Sequence, residues 1–241
     1  MSTLRREDGK TQAKAVKEMF GSIAGRYDFL NHFLSGNIDR VWRRNCVKEV
    51  AGRLEVERPI ILDVGCGTGD LSLSFSRLGD VVGCDFCHPM LLIGKRKVGR
   101  ARSRHRIELL EGDALGLPFA DCSFDAVVSA FVLRNLADIG DGLQEMRRVL
   151  RRKGVLCILD FAIPESPVFG KLFGFYFTRV LPRLGRTISG VDGPYNYLPE
   201  SVQSFPPPER IKHLIGAAGF DRAEYRCFTG GIAVLHLARR L

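Results

Sequence analysis

The sequence predicts an α/β fold built on a mostly parallel, seven-stranded sheet that ends in an antiparallel hairpin. Three observations carry this expectation. From Pro59 onward, short apolar runs at 60–64, 81–85, 107–110, 126–130 and 155–159 alternate with helical segments. Continuous apolar strands of that kind belong to a parallel sheet covered on both faces. The end of the chain changes character, because 223–228 and 232–238 flank Thr229-Gly230-Gly231, a hairpin signal. The third is a glycine-rich segment, Gly65-Cys66-Gly67-Thr68-Gly69, that joins the first strand to a helix.

Residues 1–58 read as an N-terminal helical cap. Val16, Met19, Phe20, Ile23 and Tyr27 recur at helical spacing, and Val41, Cys46, Val47 and Val50 mark a second periodic segment. Residues 59–160 form the strand-rich core. Residues 161–210 are an insertion after the fifth strand, with five of the 16 phenylalanines between Phe161 and Phe177. There Phe169, Leu172, Phe173, Tyr176 and Val180 share one helical face, while Phe175 and Phe177 lie off it. Such a segment is either buried or a greasy surface. From Gly185 to Pro208 the composition predicts a long loop of the lid or binding type. Residues 211–241 supply the final helix and the hairpin. With 241 residues and no repeat or linker, one domain is expected.

A hydrophobic fraction of 45% with 26% charged residues excludes a disordered chain, a collagen-like repeat and a small disulfide scaffold. The longest uncharged stretch, 227–238, contains Gly230 and Gly231 and falls short of the roughly 20 apolar residues a membrane span needs. The first residues, MSTLRREDGK, lack the apolar stretch of a secretory signal, so a cytoplasmic chain is expected. Seven cysteines, an odd number, fit reduced thiols better than a disulfide framework. Cys84-Asp85-Phe86-Cys87-His88 formally matches a c-type haem attachment motif. That chemistry requires export, and no second Cys or His pair follows at zinc spacing, so the match reads as accidental and no metal is expected.

Basic residues exceed acidic ones by 36 − 27 = +9, unevenly distributed. Lys95 to Arg106 holds seven Lys and Arg and no acid, and Arg147, Arg148, Arg151, Arg152 and Lys153 form a second cluster. Both suit a polyanion such as nucleic acid or an anionic membrane, and both also suit solvated helix faces.

Alternate glycines let the backbone turn tightly and approach a ligand where a Cβ would collide. The spacing is G-x-G-x-G, not that of the dinucleotide fingerprint. Asp85 closes the second strand, 20 residues beyond Gly65, where an acid holds ribose hydroxyls in doubly wound folds. Asp113, in Gly112-Asp113-Ala114 after the third strand, can accept from an adenine amino group. Each aspartate alone reads as a cap or turn residue. Together, at successive strand ends, they read as a nucleotide site.

This combination resembles the Rossmann-like class I S-adenosylmethionine-dependent methyltransferases. A narrower resemblance covers about residues 15–240. Residues 19–31 (Met-Phe-Gly-Ser-Ile-Ala-Gly-Arg-Tyr-Asp-Phe-Leu-Asn), Leu34-Ser35-Gly36 and Trp42-Arg43-Arg44 are similar to the ubiquinone/menaquinone-biosynthesis C-methyltransferases. So are Gly112-Asp113-Ala114, Leu117-Pro118-Phe119, Ser123-Phe124-Asp125-Ala126, Leu133-Arg134-Asn135 and Arg148-Val149-Leu150. Tyr197-Leu198-Pro199-Glu200-Ser201, Phe205-Pro206, Ala218-Gly219-Phe220 and Gly231-Ile232-Ala233 extend it to the end of the chain.

The resemblance implies S-adenosylmethionine as cofactor, held by Asp63, Gly65, Gly67, Thr68, Gly69, Asp85, Asp113 and Ala114. It implies a polyprenylated quinol as substrate, demethylmenaquinol or a ubiquinone precursor, methylated on a ring carbon. Residues 59–160 then bind the cofactor and 161–210 lie on the substrate side. The ring carbon becomes nucleophilic when a hydroxyl ionises, and Arg134, just past the fourth strand, is the candidate to stabilise that phenolate. Asn135 would orient a hydroxyl or a water, and Tyr27, Asp28 and Asn31 would close the site. His32 reads as structural. The chain would work at the inner face of the cell membrane in transient contact with it, with no nucleic acid as partner, and either a homo-oligomer or a biosynthetic complex stays open.

Two departures stand out. The family's Ser-Phe-Gly is Ala130-Phe131-Val132 here, which removes a serine assigned to the cofactor pocket, and its Pro-Gly-Gly is Arg152-Lys153-Gly154. The rival readings are an RNA methyltransferase, suggested by the basic charge, and a cofactor-binding accessory protein without turnover. The fourth strand lacks the Asn/Asp-Pro-Pro-Tyr/Phe motif of amine methylation, and the aromatics do not interleave with the basic patches. The intact glycine loop and Asp85 oppose the accessory reading.

Overall fold

The computed structural model describes residues 14–25, 28, 32, 35–164, 166, 170, 174–176, 179 and 194–241. Helices at 14–25 (α1) and Ile38–Ala51 (α2) precede β1 (Ile60–Val64), α3 (Asp70–Phe75), β2 (Asp80–Asp85), α4 (His88–Arg100) and β3 (Ile107–Glu111). Then follow β4 (Phe124–Ala130), α5 (Ile139–Val149), β5 (Leu150–Phe161), α6 (Pro194–Ser204), α7 (Pro208–Ala217), β6 (Asp221–Phe228) and β7 (Ala233–Arg239).

The strands form one sheet in the order β3-β2-β1-β4-β5-β7-β6. β1 pairs in parallel with both β2 and β4, and β7 runs antiparallel between β5 and β6. The strand order reverses between β1 and β4, and ligands of such sheets bind at the carboxyl ends beside that reversal. Alternation along the strands makes two core layers. Leu62, Val127, Leu156 and Ile158 pack with Leu143 and Met146 of α5 and with Ile211 and Ile215 of α7. Ile61, Ala126, Val128 and Cys157 face the other way, against Trp42, Cys46 and Val50 of α2 and Phe75 of α3.

The five apolar runs and the hairpin fall where the sequence places them, and β5 is longer at both ends than 155–159. Two expectations need correction. Gly185–Pro208 is not a loop throughout, because α6 occupies Pro194–Ser204 with Pro199 inside it. Burial of Pro199, Ser201 and Val202 outweighs the hydrogen bond that the proline removes. On α2, Val41 is 48% exposed, and the inward stripe is Trp42, Cys46 and Val50, spaced at i+4. Of the phenylalanine-rich segment, Phe175 is 61% exposed, whereas Phe169, Leu172, Phe173, Phe177 and Val180 lie outside the described residues.

Cys46, Cys66, Cys84, Cys87, Cys122 and Cys157 are free thiols. Cys84 is packed into the core between Val64 and Leu117, and burial pushes its thiol up to about 12. Among the described residues no group of three or more His, Cys, Asp or Glu side chains is arranged to hold a metal.

Candidate functional site

The loop after β1 places Gly65, Gly67 and Gly69 at φ 69°, 53° and 82°, the left-handed region that glycine enters without strain. At Gly65 a Cβ would also sit 2.3 Å from Val132 Cγ2. The Val132 departure is thus accommodated by packing on a residue that has no side chain. Ala130 ends β4, and the neighbouring Ser129 is turned inward, its hydroxyl donating to Val64 O at 2.8 Å.

Asp85 ends β2 beside this loop. Its carboxylate accepts from Gly67 N at 2.7 Å and Cys87 N at 2.8 Å, one bond to each oxygen. Each oxygen keeps a lone pair for a hydroxyl donor, which suits a ribose diol. Burial raises the Asp85 carboxyl above its usual range, and the two backbone donors pull it back. Asp113 is exposed and accepts from Leu115 N at 2.9 Å, with Ala114 half-buried beside it. Asp63 is buried, and one of its oxygens accepts from Ser72 Oγ at 2.5 Å. The three glycines and the doubly held Asp85 fit the adenosine end of S-adenosylmethionine.

The N-terminal elements reach this loop through charge. Asp28 accepts from Thr68 Oγ1 and from Lys97 Nζ, the latter at 2.6 Å. Lys97 also pairs with Asp70 at 2.5 Å, so one residue of the Lys95–Arg106 cluster is turned into the site. His32 stands between Asp39, at 2.8 Å, and Asp70, at 3.5 Å. Tyr27 and Asn31 lie outside the described residues.

Arg134 and Asn135 occupy a single helical turn, Leu133–Asn135, after β4. The Arg134 side chain is only 5% exposed and its Nη1 pairs with Asp160, at the carboxyl end of β5. Its guanidinium lies 5.9 Å from the Phe131 ring centroid and 5.3 Å from that of Phe161. Phe131 itself has φ 64°, a strained conformation for a bulky residue, held by a 2.7 Å bond from its N–H to Leu159 O. Asn135 donates to Phe131 O at 3.2 Å and accepts from Tyr197 Oη at 3.0 Å. Burial raises the Tyr197 hydroxyl above its usual range. Sequence reasoning gave neither Asp160 nor Tyr197 a role. An acid ending the apolar run of β5, as Asp63 and Asp85 lie at the ends of theirs, was the available signal for Asp160.

Strand order, glycine loop and carboxylates at successive strand ends together define a class I S-adenosylmethionine-dependent methyltransferase. A solved S-adenosylmethionine-dependent methyltransferase from Aquifex aeolicus shares the fold, with a TM-score of 0.58 and 19% identity over 81% of this chain and 89% of that one. The ubiE/COQ5 methyltransferase family matches residues 7–240, and the chain belongs to that family. It is 46% identical to a demethylmenaquinone methyltransferase of Deinococcus radiodurans, over 94% of this chain and 92% of the relative. To a demethylmenaquinone methyltransferase of Thermus thermophilus it is 47% identical, over 92% of this chain and all of the relative.

Proposed function

We propose that this chain methylates a ring carbon of a polyprenylated quinol, demethylmenaquinol first and a ubiquinone precursor second. The end-to-end similarity to demethylmenaquinone methyltransferases supports the substrate class. The observation that carries the reading is the buried Arg134, stacked on two aromatic rings at the carboxyl end of β4.

S-adenosylmethionine, when bound, supplies an electrophilic methyl group on a sulfonium. The chain has to align the acceptor carbon, exclude water and favour the ionised quinol. A phenol-like hydroxyl of pKa near 10 is about 3 units, or roughly 4 kcal/mol, from ionisation at pH 7. Arg134 offsets much of this through a charge-assisted hydrogen bond in a dry, aromatic setting. Asp160 fixes the guanidinium plane through Nη1, while Nε–H has no partner among the described residues and is the donor assigned to a phenolate oxygen. Asn135, held from both sides by Phe131 O and Tyr197, keeps this turn in place.

A lipid-borne quinol has to be reached at a membrane. Lys95, Arg96, Arg100, Arg102 and Arg104 are exposed on α4 and the loop after it, with the exposed Leu92 one turn before Arg96. This face is the proposed point of reversible contact with an anionic bilayer.

The test is incubation of purified protein with methyl-labelled S-adenosylmethionine and demethylmenaquinol in detergent. Label on the quinol ring is expected, and label found only in added RNA would select the rival reading. Arg134→Ala would leave Asp160 buried and unpaired, so Arg134→Lys is the cleaner variant. It keeps a cation beside Asp160, loses the Nε donor, and should lower turnover by about 10²-fold with cofactor affinity retained. Partial recovery at alkaline pH should accompany the loss. Wild-type turnover in Arg134→Lys would remove the planar fork from the mechanism.

A further inference from the structure

At the opposite end of the sheet from the glycine loop, a cavity of about 370 Å³ is lined by Asp121, Gln144, Arg147, Arg148, Ala218 and Arg240. The parallel strands β4 and β5 begin here, β7 ends here, and the last turns of α5 and α7 run into the same corner. Three of the six lining residues are arginines and only one is acidic. Like charges gathered on one concave surface raise the local concentration of anions.

The three guanidinium groups are not alike. Arg148 is saturated: Nε and Nη2 donate to Glu145, Nη1 to Asp121 and Phe119 O, and Nη2 also to Leu117 O. Its charge and that of Asp121, the one acid of the lining, therefore offset each other. Arg147 spends only Nε, on Gly219 O at 2.8 Å. Gly219 has φ 88°, and a Cβ there would sit 2.9 Å from that Nε, so the turn after α7 makes room for the guanidinium. Arg240 spends only Nη1, on Arg147 O at 2.7 Å, Arg148 O at 2.9 Å and Leu150 O at 2.5 Å. Capping of helix carboxyl ends explains one edge of each side chain. It leaves Nη1 and Nη2 of Arg147, and Nε and Nη2 of Arg240, without a partner among the described residues. The result is two anchored forks on one cavity.

We propose that this cavity is an anion site, taking a small ligand of the inorganic diphosphate class between Arg147 and Arg240. A guanidinium fork matches the oxygens of a phosphoryl group with paired, charge-assisted hydrogen bonds. Two forks fixed on separate elements suit two linked phosphoryl groups better than one. Ala218 is the only apolar residue of the lining and no aromatic ring belongs to it, so a nucleoside base or a lipid chain finds no platform there. The exposed Arg152 extends the positive field past the rim, because the segment it belongs to pairs with Arg240 through Lys153 N and Gly154 O. The cavity and the glycine loop lie at opposite ends of the strands, so the two sites do not compete for a ligand.

Calorimetry at matched ionic strength tests this with sodium pyrophosphate, orthophosphate and adenosine diphosphate, S-adenosylhomocysteine being present to occupy the glycine loop. Pyrophosphate should bind about 10-fold or more tightly than orthophosphate, the weight of one further charge-assisted hydrogen bond. Adenosine diphosphate should bind no more tightly than pyrophosphate, and a clear preference for the nucleotide would overturn the ligand class. Arg240→Ala would uncap α5 and endanger the fold, so the test variant is Gln144→Glu. Gln144 is exposed, lies one turn before Arg148 and takes no part in the caps. Its replacement adds an acid to the lining and should weaken pyrophosphate binding by about 10-fold at an unchanged melting temperature. The reversal Lys95→Glu, Arg96→Glu and Arg100→Glu, in the other basic cluster, should leave that binding intact. Full affinity in Gln144→Glu, or loss of binding in the α4 reversal, places the anion elsewhere and overturns the site. Equal weak binding of pyrophosphate and orthophosphate, or none, reduces Arg147 and Arg240 to helix caps.

Discussion

A carboxyl group as enclosed as Asp63 resists ionisation, and that resistance has a measurable sign. Burial is the main cause of its rise to about 7, the hydrogen bond from Ser72 opposes it, and the charge of Asp85 adds to it. In the unfolded chain an aspartate titrates near 3.9. The folded state therefore holds a proton that the unfolded state releases between about pH 4 and pH 7. Its contribution to stability is complete below pH 4 and is lost as pH rises through 7. The ligand-free protein should lose on the order of 3 kcal/mol from this group over that window. Asp85 shifts the same way, so Asp63→Asn should flatten the slope and leave a remainder. Thermal melting at half-unit pH steps measures this. An Asp63→Asn profile as steep as wild type would place the titration elsewhere.

At the scale of elements, the Arg152-Lys153-Gly154 segment near the start of β5, where the register with β4 shifts, shows how a departure from the family pattern is absorbed. Lys153 has φ 64°, a conformation for which the family's glycine is suited. The strain is held by pairing with the chain's end, Lys153 N to Arg240 O at 2.5 Å and Arg240 N to Gly154 O at 3.2 Å. The left-handed region costs a residue with a Cβ roughly 1–2 kcal/mol, and glycine gives part of that back as unfolded-state entropy. Lys153→Gly should therefore stabilise the protein by about 0.5–1 kcal/mol, read as a higher urea midpoint at unchanged slope. The exposed Lys153–Glu55 pair at 3.9 Å is too weak to reverse the sign, and a lower midpoint would show otherwise. What was legible in the sequence follows the same logic of locality. The strands, the hairpin, the glycine loop and Asp85 are written in short windows, where period and turn chemistry act directly. Helix α6 was not legible, because Pro199 reads as a breaker until its burial is known. Tyr197 was not legible as a site residue, because what defines it is a partner far along the chain. Tyr197 meets Asn135 across 62 residues, and no window spans that distance.

Across the whole molecule, the two basic clusters that look alike in the sequence part company. Arg147 donates to Gly219 O, Arg148 is bound by Glu145, Asp121 and two backbone carbonyls, and Arg151 pairs with Asp125. These three tie α5 and β5 to their neighbours, whereas Arg152 and Lys153 of the same cluster are exposed. The first cluster instead presents Lys95, Arg96, Arg100, Arg102 and Arg104 to solvent, with only Lys97 turned inward. None of the described helices is long and apolar enough to cross a membrane; the proposed membrane contact is assigned to this exposed basic face. Each basic residue near an anionic bilayer contributes about 1 kcal/mol, and the attraction decays within a Debye length of roughly 10 Å at 0.1 M salt. Sedimentation with vesicles rich in anionic lipid should therefore show binding at low salt that fades as salt rises. A triple reversal, Lys95→Glu, Arg96→Glu and Arg100→Glu, should abolish that binding while leaving the melting temperature unchanged, since these side chains are exposed. Reversing Arg147 and Arg151 should do the opposite, destabilising the fold by removing internal partners. Vesicle binding that survives the triple reversal would move the contact to the phenylalanine-rich insertion. No binding at low salt would mean that the quinol is delivered to the chain by another route.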